Sequence, residues 1–336
     1  MPEIPVIVLF GPTASGKTAL LEELFSGGKK TAAETISAEI VSADSMQVYR
    51  GMDIGTAKPP PDFCAALPHH LIDILDPDEQ FNAGEFARRA DQTCEDIHKR
   101  GMLPVISGGA GFYLKNFIQG LPEAPPADAA VREKLSAELL SAGAAALRSE
   151  LQTADPESAA RIHPNDEYRL LRALEVIRIS GHPLSSFAVN AENHNPKYKF
   201  LLIGLERERE TLYRRINERC AEMFKAGLAQ EVRALFEKHY TPRDPGLKAI
   251  GYKEFFIDNY DGTYRFSDDT AGVEALTAQH SRQYAKRQIT WFKKIQDVTW
   301  IRLDEKESIR KTAALIQEKI AVFLENSGNL RRKNAV

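Results

Sequence analysis

The sequence predicts an α/β fold: a phosphate-loop (P-loop) parallel-sheet core carrying an inserted all-helical domain. Three observations predict it. Short continuous apolar runs of strand length alternate with helically spaced segments over residues 1–120, the pattern of a parallel sheet covered on both faces. The first run leads straight into a glycine loop that opens a helix. Strand signals then cease from 121 to 197 and resume afterwards.

Taken in order, 4–10 (IPVIVLF) is continuous, β-rich and long enough for one buried strand. Residues 17–26 read as a helix and 38–42 (AEIVS) as a second strand. From 81 to 100, Phe86, Ala90 and Ile97 fall at helical spacing, and 102–109 (MLPVISGG) is another buried strand running into glycines. "PEAPPADAA" then forms a proline- and alanine-rich hinge. Between 131 and 186 the signals are helical, strongest in "HPNDEYRLLRALEVIRISGHP". There Asn165 or Asp166 can cap the start, Leu171, Leu174 and Ile177 form a stripe, and Gly181 and Pro183 end it. "KFLLIGLE", 199–206, returns to strand character. The remainder reads as mostly helical, closing with a strand at 298–303 and a helix at 308–325. The expected organisation is therefore a catalytic core at 1–120 and 198–325 with C-terminal helices, an insertion at 121–197, and a basic, disordered tail at 326–336. There are no internal repeats.

Bulk properties narrow the class. With 43% apolar and 8% aromatic residues the chain of 336 can bury a core. Its formal net charge of -3 does not advertise a nucleic-acid binder, so any such role must lie in local patches. Cys64, Cys94 and Cys220 are odd in number and lack metal-ligand spacing, which reads as a cytoplasmic protein with reduced thiols. The N-terminus lacks the pattern of a signal peptide, and no run approaches the ~18 apolar residues of a membrane span. We expect a monomer.

Gly11-Pro12-Thr13-Ala14-Ser15-Gly16-Lys17-Thr18 fits G-x-x-x-x-G-K-[ST] between a strand and a helix, the context the motif requires. The glycines let consecutive N–H groups face one point. The helix end adds its positive pole, worth ~0.3–1 kcal/mol. Lys17 supplies a full charge and Thr18 a hydroxyl for Mg²⁺. The loop alone leaves ATP, GTP and other diphosphates open. Asp44 follows the second strand, where ligands of open α/β sheets bind. It could position an acceptor hydroxyl, as in a kinase, accept a proton from an amine, or merely cap the turn Ser42–Ser45.

The strings "GPTASGKT", "SADSMQVYRGMDIGTAKP", "PHHLIDI", "ARIHPNDEYRLLRALEV", "AIGYKE" and "AKRQITWFKK" occur in this order from Val6 to Trp300. In this the sequence resembles the bacterial tRNA dimethylallyltransferases, also called tRNA isopentenyltransferases. The resemblance implies transfer of a dimethylallyl group from its diphosphate to N6 of the adenosine at tRNA position 37, beside the anticodon. It implies that the loop holds the leaving pyrophosphate with Mg²⁺, and that Asp44 takes the proton of the amine. Ser45, Met46 and Gln47, in the same string, would face the acceptor tRNA. Arg219 matches an arginine expected at the pyrophosphate.

Further tRNA contacts implied by the resemblance are Arg132, Tyr168-Arg169-Leu170-Leu171-Arg172 and Lys248-Ala249-Ile250-Gly251-Tyr252-Lys253. The basic helix at 282–295 would pack through Ala285, Ile289 and Phe292 and meet phosphate through Arg282, Lys286 and Lys293. One position departs from the family: after Gly108-Gly109, where it usually has threonine, stands Ala110, at the acceptor side. Three readings follow: Ser107 or a water supplies that hydroxyl, its contribution is small, or the enzyme is slower. His69 and His70, adjacent and without a third ligand, read as structural. Competing readings are a P-loop kinase with Asp44 as base, a non-catalytic RNA binder, and prenylation of free adenine nucleotide. The insertion speaks against the last, since a mononucleotide needs no anticodon clasp.

Overall fold

The structure, a computed structural model, describes residues 3–25, 37–120, 124–187, 195–304 and 309–327. Positions 328–336, most of the expected tail, lie outside them. Two compact units are present, Met1–Ile118 with Asn195–Val336, and Gln119–His194.

In the first unit the chain runs β1 (Ile4–Phe10), α1 (Lys17–Phe25), β2 (Ala38–Ala43), α2 (Pro61–Ala66), β3 (His69–His70), α3 (Ala83–Lys99), β4 (Leu103–Gly108) and α4 (Gly111–Gln119). The second unit holds α5 (Ala129–Ala154), α6 (Pro156–Arg161) and α7 (Glu167–Ser180). The first unit resumes with β5 (Tyr198–Glu206), α8 (Arg209–Lys225), α9 (Leu228–Glu237), β6 (Phe256–Asp258), β7 (Tyr264–Phe266), α10 (Thr270–Phe292), β8 (Thr299–Arg302) and α11 (Ile309–Glu325).

Six strands pair in the order β3-β2-β4-β1-β5-β8, every pairing parallel. β1 is apolar throughout because it has helices on both faces. Val6, Val8 and Phe10 pack with Phe86 and Ile97 of α3, Phe117 of α4 and Phe292 of α10. Ile7 and Leu9 point the other way, onto Leu20 of α1 and Ile316 and Ile320 of α11.

The register matters for function. Phe10 pairs with Gly108, and Gly108 with Ala43. The next residues, Gly11, Gly109 and Asp44, therefore leave the carboxyl edge of the sheet side by side, where ligands of such sheets bind. Gly108 has no room for a side chain, since a Cβ there would stand 2.0 Å from the Ala43 carbonyl oxygen. We expect Gly108→Ala to cost about 3 kcal/mol of stability or to prevent soluble expression, read as the shift of a urea midpoint.

Each helix of the second unit starts on an aspartate. Asp128 accepts from Val131 N, Asp155 from Ser158 N and Asp166 from Arg169 N. Asp166, not Asn165, takes the cap of α7, and Gly181 ends it in the left-handed region at φ 74°. Leu135, Leu147, Leu151, Leu170 and Leu174 form this unit's core.

Two features depart from the sequence reading. A short antiparallel hairpin joins β6 to β7, with Phe256 opposite Phe266. Its three-residue strands are too short for the apolar alternation that marks a strand, although Asp261-Gly262 is a turn signal and Gly262 sits at φ +89°. β3 is only the pair His69–His70, too short for any pattern. His69 Nδ1 contacts Leu67 O, and His70 Nε2 meets the buried Glu39 carboxylate, which also receives Arg100. Among the described residues no helix is long and apolar enough to cross a membrane.

Candidate active site

The phosphate loop turns sharply between β1 and α1. Gly16 lies at φ +105°, and a Cβ on Gly11 would press within 2.9 Å of Ser15 Oγ and 3.0 Å of Leu205 O. Ala14 is held at φ 59°, a conformation uncommon outside glycine. The loop is clamped from outside by its carbonyls. Arg215 Nε donates to Ala14 O at 3.0 Å and Arg207 Nε to Ser15 O at 2.8 Å. The first turn of α1 leaves its N–H groups without intrahelical partners, so they remain available to an anion. Lys17 Nζ folds back onto Gly11 O and Pro12 O at 2.9 and 3.0 Å. Burial, then the neighbouring Arg219, pull its pKa down to about 8, and Asp44 opposes them.

Asp44 does two things. Its Oδ1 accepts from Met46 N at 2.9 Å and Gln47 N at 3.4 Å, forming the turn that the bland reading anticipated. The residue also lines a cavity of about 640 Å³ together with Lys17, Thr18 and Arg219. The second carboxylate oxygen is thus the one left for a ligand. Gln47 borders the cavity too, but its amide is engaged within the protein. Oε1 accepts from Ser42 Oγ, and Nε2 donates to Thr56 O and Ala57 O. Beneath this loop, Glu231 of α9 accepts from Asp53 N, Ile54 N and Gly55 N and from Tyr252 Oη.

The far walls come from α8, α10 and the segment Lys248–Lys253. Arg219 faces the cavity, and burial lowers its pKa. Tyr284 lines it as well; burial, reinforced by Asp44, raises its phenol to about 12, so it stays a neutral donor at physiological pH. Gln288, one turn further along α10, reaches both glycine loops. Sequence reasoning assigned nothing to Gln288, Tyr284, Arg215 or Glu231. For Gln288 a signal existed: it shares a helix face with Ala285 and Phe292, both buried, and a polar side chain in the middle of an apolar face asks for a partner.

The structure sorts the remaining sequence-stretch assignments. Thr13, Ala14, Gly16, Lys17, Thr18, Asp44, Ser45, Met46, Gln47, Arg219, Lys248, Ala249, Ile250 and Lys253 all border the one cavity. Tyr252 does not present a surface: it is fully buried, tied to Glu231, and Gly251 beside it is buried too. Ala110 is not on the cavity wall either. It packs into the sheet core, with its N–H on Ala43 O, while Gly109 lines the cavity instead. Ser107 is buried in β4 and likewise off the wall.

In the helical unit, Leu170 is 1% exposed and belongs to the core, and Leu171 packs partly against it. Their side chains serve folding. Arg132 and Arg172 both donate at 2.8 Å to the buried Glu175 carboxylate, which also takes Asp128 N. Tyr168 remains 64% exposed, with the Arg132 guanidinium 5.1 Å from its ring, and Arg169 pairs with Asp166. Tyr168 and Arg169 are thus the most exposed of these side chains.

A family model described as IPP transferase matches residues 47–295. The chain belongs to the IPP transferase family. A tRNA dimethylallyltransferase of Geobacter sulfurreducens is 44% identical over 296 residues, 88% of this chain and 91% of that protein. The crystal structure of the full-length tRNA isopentenylpyrophosphate transferase of Bacillus halodurans aligns at 37% identity and a TM-score of 0.66, covering 98% of this chain and 99% of its own. A eukaryotic dimethylallyltransferase, captured acting on tRNA, aligns at 26% identity and a TM-score of 0.80, over 95% of this chain and 80% of its own. The P-loop core is thus shared with enzymes of this family.

Proposed function

We propose that this IPP transferase moves a dimethylallyl group from dimethylallyl diphosphate to N6 of the adenosine at tRNA position 37, releasing pyrophosphate. The observation that carries this reading is the shared cavity. An anion-binding loop with Lys17 and a carboxylate with one uncommitted oxygen, Asp44, line the same walled space.

The chemistry follows from those parts. A bond forms between N6 and the allylic carbon as the carbon–oxygen bond to the diphosphate breaks. The electron pair leaves with the diphosphate, and the proton leaves N6. An aromatic amine is a weak nucleophile because its lone pair is delocalised, so a carboxylate placed to take that proton contributes typically ~10²–10⁴-fold. Lys17, Arg219 and the loop N–H groups meet the charge developing on the leaving group. Among the described residues no three His, Cys, Asp or Glu side chains gather into a metal cage. Mg²⁺ does not need one, since it takes one or two protein oxygens and completes its shell with phosphate and water. The exposed Thr18 hydroxyl on the cavity wall suits that role, and the bound ion would neutralise charge on the diphosphate. Lys248 and Lys253, exposed at the same cavity, would meet the RNA backbone, and Tyr168 with Arg132 and Arg169 would contact it from the helical unit.

The test supplies protein, dimethylallyl diphosphate, Mg²⁺ and unmodified tRNA with adenosine beside the anticodon, then weighs the digested nucleosides. The expected result is one dimethylallyl group on N6 of that adenosine. ATP hydrolysis without any mass gain would favour a P-loop kinase, and modification of free adenosine monophosphate at equal rate would overturn the tRNA acceptor.

A further inference from the structure

Gln288 is 6% exposed, and both ends of its amide are engaged. Oε1 accepts from Thr13 N at 2.9 Å, and Nε2 donates to Gly109 O at 2.9 Å. Thr13 belongs to the loop after β1 and Gly109 to the loop after β4, which are adjacent strands. A single side chain from α10 therefore fixes the spacing of the two loops that open on either side of the reacting centre. Only an amide does both jobs at this reach. A carboxylate would oppose a second acceptor to Gly109 O, and an apolar side chain would leave a buried donor and a buried acceptor unpaired.

The dependence runs in both directions. A Cβ on Gly109 would stand 2.5 Å from Gln288 Nε2, whereas its next neighbours would be at a comfortable 3.7 Å. Gly109 is also absent from the glycines with positive φ. The Gln288 amide is thus the tight contact that a side chain at this position would meet.

Gln288 also decides which loop donors a phosphate can use. With Thr13 N–H held by Oε1, an incoming anion is directed to the N–H groups at the start of α1, beside Lys17. The seating of the diphosphate, and with it the position of the allylic carbon before Asp44, is then set from α10. We propose that Gln288 is a positioning residue for the transfer reaction, and that Gly109 is glycine to accommodate it. This rests on the prenyl-transfer reading.

The experiment compares Gln288→Ala, Gly109→Ala and the double variant in steady-state prenylation of tRNA, with calorimetric binding of Mg²⁺-pyrophosphate as a readout independent of turnover. Each single variant should lower kcat about tenfold or more, as a misplaced reacting group does. Each should leave KM for the diphosphate and pyrophosphate affinity within about threefold, because no phosphate donor has been removed. The double variant should be no slower than the slower single, since the methyl on Gly109 clashes only with the amide. Gln288→Ala with wild-type kcat, a raised KM at unchanged kcat, or losses that multiply in the double variant would each overturn the inference. Should Gln288→Ala not fold, Gly109→Ala decides alone, because its methyl displaces the amide without removing an atom. An inactive wild-type enzyme would sink the functional reading, and an active one with unimpaired variants would sink only the role of Gln288.

Discussion

Asp44→Asn is expected to lose ~10²–10⁴-fold in kcat while the fold and tRNA affinity stay near wild type. The substitution separates two roles that one carboxylate carries. Asparagine keeps an oxygen to accept from Met46 N and Gln47 N, so the turn survives. It cannot accept the proton of the adenine amine. Asp44→Ala loses the turn as well, and should add a stability loss of about 1 kcal/mol. Single-turnover rates with saturating tRNA separate chemistry from binding, and a melting curve separates the two variants. An Asn variant that turns over at the wild-type rate would remove Asp44 from proton transfer.

Lys17→Met should weaken binding of the diphosphate by about 10²-fold, the worth of a charge-assisted contact of roughly 2–3 kcal/mol, with tRNA affinity unchanged. The wild-type enzyme adds a pH signature. Burial and Arg219 hold the free Lys17 ammonium at a pKa of about 8. Below that pH the group is charged and attracts the anion. Above it the group is neutral in the free enzyme, and binding must first take up a proton. Diphosphate affinity should therefore fall as pH rises through about 8, with proton uptake on binding at higher pH, and Lys17→Met should abolish this dependence. Titration calorimetry in two buffers of different ionisation enthalpy measures the uptake. Equal pH profiles for wild type and variant would assign the titration elsewhere.

The core of the fold was legible because its strands are buried on both faces. Such strands are mostly apolar, as Val6 to Phe10 are throughout, and need no partner to be recognised. The phosphate loop was legible because its glycines answer local backbone geometry, as Gly16 does at φ +105°. The hairpin Phe256–Phe266 was not, because its strands are held by packing against α9 aromatics such as Phe236 rather than by pattern. Side chains acting at long range were equally silent. Glu231 looks like any helix-surface acid until three backbone N–H groups from Asp53 to Gly55 converge on it. Tyr252 and Leu170 lie within strings expected to contact tRNA, yet their side chains are buried, which the strings themselves do not reveal.

The clamps on the phosphate loop carry a consequence for synthesis. The loop is made long before the groups that hold its shape. Arg207 lies 192 residues after Ser15, Arg215 lies 201 after Ala14, and Gln288 lies 275 after Thr13. At ~5–20 residues per second, the last of these leaves the ribosome roughly 14–55 s after the loop it completes. During that interval the nascent chain displays a signature of phosphate binding without the means to shape it. Protection of the loop from proteases should be complete only when α10 has docked. A chain truncated before that helix would carry the whole motif and lack the last of its clamps.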